Sequence, residues 1–82
     1  MTRQQVDHLK SRLESSFSAE VDVESVGKGR YRLAVVSPRF NRMSHLKRQD
    51  VVWKVVDESL NRNAVMGISL ILTFSPRELA NV

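Results

Sequence analysis

The stretch EVDVESVGKGRYRLAVV, residues 20–36, carries the clearest structural pattern in the chain. Polar and apolar residues alternate over Glu20–Glu24 and again over Arg30–Val36, which is the pattern of half-buried β-strands. The turn predicted between them, Val26–Gly29, includes two glycines that tolerate a tight turn. The sequence therefore predicts an antiparallel hairpin. Its expected core face carries Val21, Val23, Tyr31, Leu33 and Val35.

A helix is predicted before the hairpin. Its apolar residues recur at helical spacing, at Val6, Leu9, Leu13 and Phe17. Thr2 is followed three residues later by Gln5, a capping-box pattern, so the helix is expected to begin directly after Thr2. Serines after Glu14 weaken the helix and place its end near Phe17.

A longer helix and a last strand are predicted after the hairpin. Pro38 ends the second strand, since proline has no N–H to donate to a ladder. Ser44 is the expected N-cap of a helix that runs to about Asn63. Its apolar stripe comprises Leu46, Val52, Trp53, Val56 and Leu60. Ile68–Phe74 is the last strand, and Pro76 opens a short final turn.

These elements predict a single α+β domain over residues 1–82, in the order helix–strand–strand–helix–strand. The last strand should lie parallel to the second because a helix connects them, and both helices should cover one face of a three-stranded mixed sheet. We expect Ile68, Leu70, Leu72 and Phe74 on the core face. The open face is expected to carry Arg30, Arg32, Val36, Ser69, Ile71 and Thr73.

Composition and charge narrow the function classes. The chain has no cysteine, which excludes disulfides and thiolate ligands, and no apolar run near the roughly 20 residues that span a bilayer. Residues 28–54 hold eight basic residues against one acidic residue, a net charge of +7, whereas the whole chain carries +4. A localised positive field of this kind suits an anionic partner or serves as a solvated basic face.

Catalysis is not indicated by the sequence. His8 and His45 stand in no spacing typical of a metal pair or a triad, and His45 is the single candidate metal ligand. The turn Val26–Gly29 resembles half of a phosphate loop but lies between two strands and lacks the Gly-Lys-Ser/Thr ending. We therefore predict a binding protein, not an enzyme, with no catalytic residues.

The informative stretch is SPRFNRMSHLKRQ, residues 37–49, here called the basic segment. Its cations are Arg39, Arg42, Lys47 and Arg48, and it contains no acid. It runs from a strand end through a loop to a helix N-terminus, where backbone N–H groups also favour anions. Phe40 and Met43 are expected anchors for a partner; alternatively, Phe40 plugs the core beneath the loop.

The same stretch resembles the BolA family. That family shows an apolar strand ending in Val-Ser-x-x-Phe, then a loop, then Leu-x-x-Arg-His before an apolar helix. Here Ser37, Phe40, Leu46 and Arg48 match in register, and the order of elements from Val6 to Phe74 also fits. The resemblance implies a fold similar to type II KH domains. It also implies DNA binding as a transcriptional regulator, and partnership with a monothiol glutaredoxin through a shared [2Fe-2S] cluster in iron homeostasis.

The chain departs from this pattern where the cluster would be held. Gln49 stands at the position of the family's cluster-ligand histidine, and an amide is a poor iron ligand beside an imidazole. The turn between the first two strands, Val26–Gly29, offers neither His nor Cys, and Arg42 replaces a typical glycine. These departures predict that the chain forms no stable shared cluster.

We therefore interpret the chain as a BolA-like protein that binds DNA or RNA. Arg39 and Arg42 are expected to contact phosphates from the loop, Lys47 and Arg48 to do so from the helix start, and Gln49 to meet a base edge. The alternative is an adaptor whose basic face docks an acidic partner such as a monothiol glutaredoxin. Under either interpretation, we expect the protein to be cytoplasmic, to have no membrane partner, and to be a monomer or weak dimer.

Overall fold

The computed structural model describes residues 1–80. Its helices are α1 (Arg3–Phe17), α2 (His45–Ser59), α3 (Arg62–Met66) and α4 (Pro76–Ala80), with a 3₁₀ helix at Pro38–Arg42. Its strands are β1 (Glu20–Gly27), β2 (Arg30–Val36) and β3 (Ile68–Phe74). The strands form one sheet in the order β1-β2-β3, with β1 antiparallel and β3 parallel to β2. The predicted α+β class and mixed sheet are confirmed.

The hairpin has the predicted register. Val21 lies opposite Val35 and Val23 opposite Leu33, so the apolar side chains of both strands share one face. Gly29 takes a φ of 70° at the turn, a conformation that glycine adopts without steric cost. The pairing of the two strands thus puts a continuous apolar surface beneath the helices.

The N-terminal helix also begins as predicted. The Thr2 hydroxyl accepts a hydrogen bond from the Gln5 N–H, and the Gln5 side chain accepts one from the Thr2 N–H. The helix buries Leu9, Leu13 and Phe17 and leaves its other faces in solvent. Its apolar stripe packs into a core built from α1, the sheet and α2. The buried apolar members of that core are Leu9, Leu13, Phe17, Val21, Leu33, Val35, Phe40, Val52, Val56, Ile68 and Ile71.

The prediction of one helix from Ser44 to about Asn63 was wrong at its end. Helix α2 stops at Ser59 because Leu60 adopts an extended conformation, with φ −130° and ψ 153°. The Asn61 side chain then accepts a hydrogen bond from the Ala64 N–H and starts α3. A side-chain cap inside an apparently continuous helical pattern therefore divides it into two helices.

The predicted faces of β3 were also wrong. Tyr31 pairs with Ile68, but the next residue, Arg32, pairs with Leu70, so Ser69 is an extra residue in the strand. This bulge reverses the alternation after Ile68, because side chains of a strand have a period of two. Ile71 and Thr73 are buried, whereas Leu70 is 47% exposed and Leu72 and Phe74 are half-buried.

The open face therefore differs from the expected one. Its three cross-strand rows are Glu20–Val36–Phe74, Asp22–Ala34–Leu72 and Glu24–Arg32–Leu70. Within residues 1–80, no helix combines the length and apolarity that crossing a bilayer requires.

Candidate functional site: the basic segment

The basic segment folds as a 3₁₀ helix followed by the first turn of α2. Ser37 caps the 3₁₀ helix, because its hydroxyl accepts from the Arg39 N–H at 3.1 Å and donates to the Phe17 carbonyl oxygen at 2.5 Å. Phe40 is fully buried, with its ring centroid 5.6 Å from that of Phe17. Phe40 is thus the core plug, not an exposed anchor. Met43 is half-buried against the same core.

Arg48 lies inside the protein, contrary to its predicted role at the surface. It is 4% exposed, and its guanidinium is surrounded by carbonyl groups. Nη2 donates to the Phe40 oxygen at 2.7 Å, and Nε donates to the Met43 oxygen at 3.2 Å. The guanidinium carbon also lies 5.7 Å from the Phe40 ring centroid. A guanidinium held in this way cannot contact phosphate, so Arg48 is a structural residue of the loop.

Glu78 in α4 supplies the counter-charge to Arg48. Its Oε1 accepts from Arg48 Nη1 at 2.7 Å and from the Ser75 N–H at 2.7 Å. The hydrogen bond from Arg48, and after it the one from Ser75, lowers the pKa of Glu78 to about 2. The ion pair therefore fastens α4 to the start of α2, a link that no local sequence pattern indicates because the two residues are 30 positions apart.

Gln49 is also occupied within the protein. Its Nε2 donates to the Ile71 carbonyl oxygen at 2.9 Å, and its Oε1 accepts from Trp53 Nε1 at 3.1 Å. Ile71 lies in β3, an edge strand of the sheet, so the amide covers an outward-facing carbonyl of that edge. Contact of Gln49 with a base edge, as predicted, would require both hydrogen bonds to break.

Three of the predicted cations are at the surface. Arg39, Arg42 and Lys47 are exposed, and none forms an ion pair with the described residues 1–80. Arg39 Nη1 donates to the Ser16 carbonyl oxygen at 3.2 Å, which holds its side chain against the end of α1. The site is therefore a smaller set of cations than the sequence predicted.

An exposed leucine lies directly before Lys47, contrary to the prediction. Leu46 was expected in the apolar stripe of α2, yet it is 75% exposed. The buried positions of α2 are Arg48, Val52 and Val56, and Leu46 lies two residues before the first of them. Two residues correspond to about 200° around a helix, so Leu46 points away from the stripe. The four-residue spacing of the buried positions was the signal in the sequence.

The residues at the expected cluster position do not fit a [2Fe-2S] centre. Gln49 is hydrogen-bonded on both sides of its amide, and the turn at Lys28 and Gly29 carries no ligand. The His45 imidazole is 78% exposed, and its Nε2 lies 3.9 Å from Glu78, whose carboxylate already binds Arg48. Across residues 1–80 no three His, Cys, Asp or Glu side chains form a group suited to a metal ion.

Comparison with known proteins places this geometry in a known fold. No model of a protein family matches the chain, and no curated protein matches it. Among solved structures, BolA1 from Arabidopsis thaliana superposes with a TM-score of 0.78 at 19% identity, over 94% of this chain and 98% of that one.

Two further structures agree with the first. The BolA domain of SufE1 from Arabidopsis thaliana gives a TM-score of 0.70 at 22% identity, over 95% of this chain and 98% of that one. Yeast Fra2 gives 0.68 at 23% identity, over all of this chain and 87% of its own. The resemblance noted in the basic segment thus extends over nearly all of the chain, which has the fold of the BolA-like proteins.

Proposed function

We propose that this chain is a non-enzymatic, BolA-like regulatory protein that binds nucleic acid through the exposed part of the basic segment. The observation that carries the proposal is that Arg39, Arg42 and Lys47 are exposed and share no ion pair with the described residues. They lie at the 3₁₀ helix and the first turn of α2, in a chain region of net charge +7. Exposed cations that have no ion-pair partner are available to a phosphate backbone.

The geometry sets the expected salt dependence. Each phosphate contact contributes a slope of about −0.9 in log K against log salt on duplex DNA and about −0.7 on a single strand. Three contacts therefore predict a slope of about −2.7 on duplex DNA or about −2.1 on a single strand. Arg48 is excluded from this count because its donors are used inside the protein.

The test is a salt titration of binding to labelled duplex DNA and single-stranded RNA, with Arg42→Gln/Lys47→Gln as the variant. The variant should reduce the steepness of the slope by about 2 on duplex DNA, because two phosphate contacts are lost. Arg3→Gln/Arg62→Gln is the matched control, since it removes the same charge from exposed positions outside the basic segment. Absence of binding at about 50 mM salt, or equal losses in both variants, would contradict the proposal.

A second candidate function is favoured by Leu46. Leu46 offers an apolar contact directly beside the exposed Lys47, and a protein interface combines apolar contact with charge complementarity. This feature supports the adaptor alternative, in which the basic segment docks an acidic partner such as a monothiol glutaredoxin. Leu46→Ser separates the two candidates. It should abolish capture of a purified monothiol glutaredoxin if the adaptor function holds, and leave the nucleic-acid salt slope unchanged if phosphate contacts alone matter.

A further inference from the structure

The open face of the sheet divides into an apolar strip and an acidic strip. Leu70, Leu72 and Phe74 follow one another on β3, and Ala34 and Val36 continue the apolar surface on β2. On the other side, β1 presents Glu20, Asp22 and Glu24. Arg32 is the one cation in these three cross-strand rows, and its Nη2 is bound to Glu24 Oε2 at 2.6 Å. Glu20 and Asp22 therefore have no partner of opposite charge within the rows.

This arrangement disfavours pairing of two open faces about a two-fold axis. When the two-fold axis lies between the two sheets and runs parallel to the strands, β1 of one copy faces β3 of the other. The carboxylates of β1 then contact leucine and phenylalanine side chains. When the axis lies between the two sheets and runs perpendicular to the strands, β1 of one copy faces β1 of the other. Carboxylates then contact carboxylates. Both arrangements bury unpaired negative charge, which is costly. An occupant that carries its own positive charge would instead pair with these carboxylates.

A cleft at one end of this face can receive such an occupant. Its volume is about 530 Å³, and it lies between the end of β2, the 3₁₀ helix and α4. Glu20 is the one charged residue in its lining. The remaining lining residues are Ser18, Val36, Pro38, Pro76, Leu79 and Ala80. An apolar cleft with a carboxylate at its rim is complementary to an aliphatic side chain that is flanked by a cation.

The same chain presents that chemistry elsewhere on its surface. Leu46 is 75% exposed, its neighbour Lys47 is exposed, and Arg42 stands at the end of the preceding 3₁₀ helix. We call these three residues the basic tip. Leu46 is the one large apolar residue of the basic segment that the fold leaves mostly in solvent.

We propose that the cleft binds the basic tip of a second copy of this chain, with Leu46 in the apolar cleft and Lys47 paired with Glu20. The contact joins two different surfaces, and it does not depend on nucleic-acid binding. It buries one aliphatic side chain and forms one ion pair, so it is small, and we expect a dissociation constant of about 0.1–1 mM.

The test begins with sedimentation of the full chain between about 20 μM and 1 mM in about 0.1 M salt. The average mass of the wild type should rise with concentration. Leu46→Ser, Glu20→Lys and Lys47→Glu should each keep the chain monomeric over that range, and each changes an exposed position. Glu14→Lys and Lys54→Glu are matched controls at exposed sites outside the contact and should behave like the wild type.

Charge exchange identifies the contact itself. The double variant Glu20→Lys/Lys47→Glu should associate again, because the ion pair is restored with reversed signs. An equimolar mixture of the two single variants should also associate, since each carries the charge that complements the other. A wild type that stays monomeric at about 1 mM, or a double variant and a mixture that both stay monomeric, overturns the proposal.

The same variants keep this proposal distinct from nucleic-acid binding. Glu20→Lys removes the cleft's carboxylate but leaves every cation of the basic segment in place, so it should abolish self-association without weakening phosphate contacts. Lys47→Glu should weaken both. If the wild type self-associates but does not bind nucleic acid, only the proposed function is contradicted. If the wild type binds nucleic acid but stays monomeric, only the self-association is contradicted.

Discussion

At the scale of single residues, neighbouring cations of one segment have opposite roles. Lys47 lies in solvent, whereas Arg48, the next residue, is 4% exposed and donates to carbonyl groups of Phe40 and Met43. Residues one position apart on a helix point about 100° apart, so one can face the core while its neighbour faces water. A planar guanidinium can satisfy several carbonyls and a carboxylate together, which a lysine ammonium cannot match in geometry.

Arg48→Met should therefore lower stability without changing phosphate contacts. It leaves the Phe40 and Met43 carbonyls without their side-chain donor and removes the partner of Glu78, so we expect a loss of about 2–4 kcal/mol in the free energy of unfolding. Chemical denaturation measures that loss. For the folded variant, the salt slope of nucleic-acid binding should equal that of the wild type. A slope that falls by about 1 would instead place Arg48 on phosphate.

At the scale of elements, a short C-terminal helix secures the start of the long one. Helix α4 has five residues, too few to be stable alone. It is held because Glu78 accepts from both Arg48 and the Ser75 N–H, while the Glu78 N–H is 3.2 Å from the Ser75 hydroxyl oxygen. The position of α4 in turn forms one wall of the cleft, through Leu79 and Ala80.

This link should make stability depend on pH in acid. The pKa of Glu78 is lowered from 4.5 to about 2 in the folded chain, so the unfolded chain binds more protons between these values. The contribution of Glu78 is complete above about pH 5 and is lost as the pH falls towards 2. Thermal unfolding of Glu78→Gln should therefore show a smaller decline than the wild type over that window.

Glu14→Gln is the control for the acid titration. The Glu14 side chain is exposed and makes no hydrogen bond or ion pair with residues 1–80, so its replacement should leave the decline of the wild type unchanged. Parallel curves for Glu78→Gln and the wild type would show that the Arg48–Glu78 pair does not stabilise the fold.

At the scale of the whole molecule, charge is separated between surfaces. The basic segment contributes three exposed cations between the end of β2 and the start of α2, whereas the acidic strip of the open face lies on β1, at the other edge of the sheet from β3. A net charge of +4 therefore coexists with an acidic, partly apolar face. Such an asymmetric distribution orients encounters with anionic and with cationic partners towards different surfaces.

The two proposals share the basic tip, so their ligands should compete. A nucleic acid bound at Arg42 and Lys47 occupies the surface that enters the cleft of a second copy. Adding an excess of a short DNA duplex to the chain at about 1 mM should therefore dissociate the self-associated chains into monomers that each bind one duplex. Because the two equilibria are linked, self-association should in turn weaken binding to DNA. Sedimentation of a dye-labelled duplex, followed at the absorbance of the dye, measures the mass of the species that contain DNA. Assemblies that persist with duplex bound would show that the two surfaces are separate.

The local features of this protein could be predicted from its sequence. The hairpin follows from alternation over residues 20–24 and 30–36 around a short turn, and α1 begins at a capping box whose two residues are three positions apart. Near neighbours in the chain satisfy both signals. The order of elements and the location of the basic segment are equally local. The family resemblance in that segment agreed with the fold for the same reason.

Packing between distant segments sets which of those residues remain available to a partner. The Ser69 bulge reversed the faces of β3 because its register depends on pairing with β2, a strand over 30 positions away. Arg48 and Gln49 were removed from the predicted site by acceptors on β3, α4 and the 3₁₀ helix. Burial and hydrogen bonding between distant segments produce no periodic pattern in the sequence. Only the folded molecule therefore shows which residues are exposed.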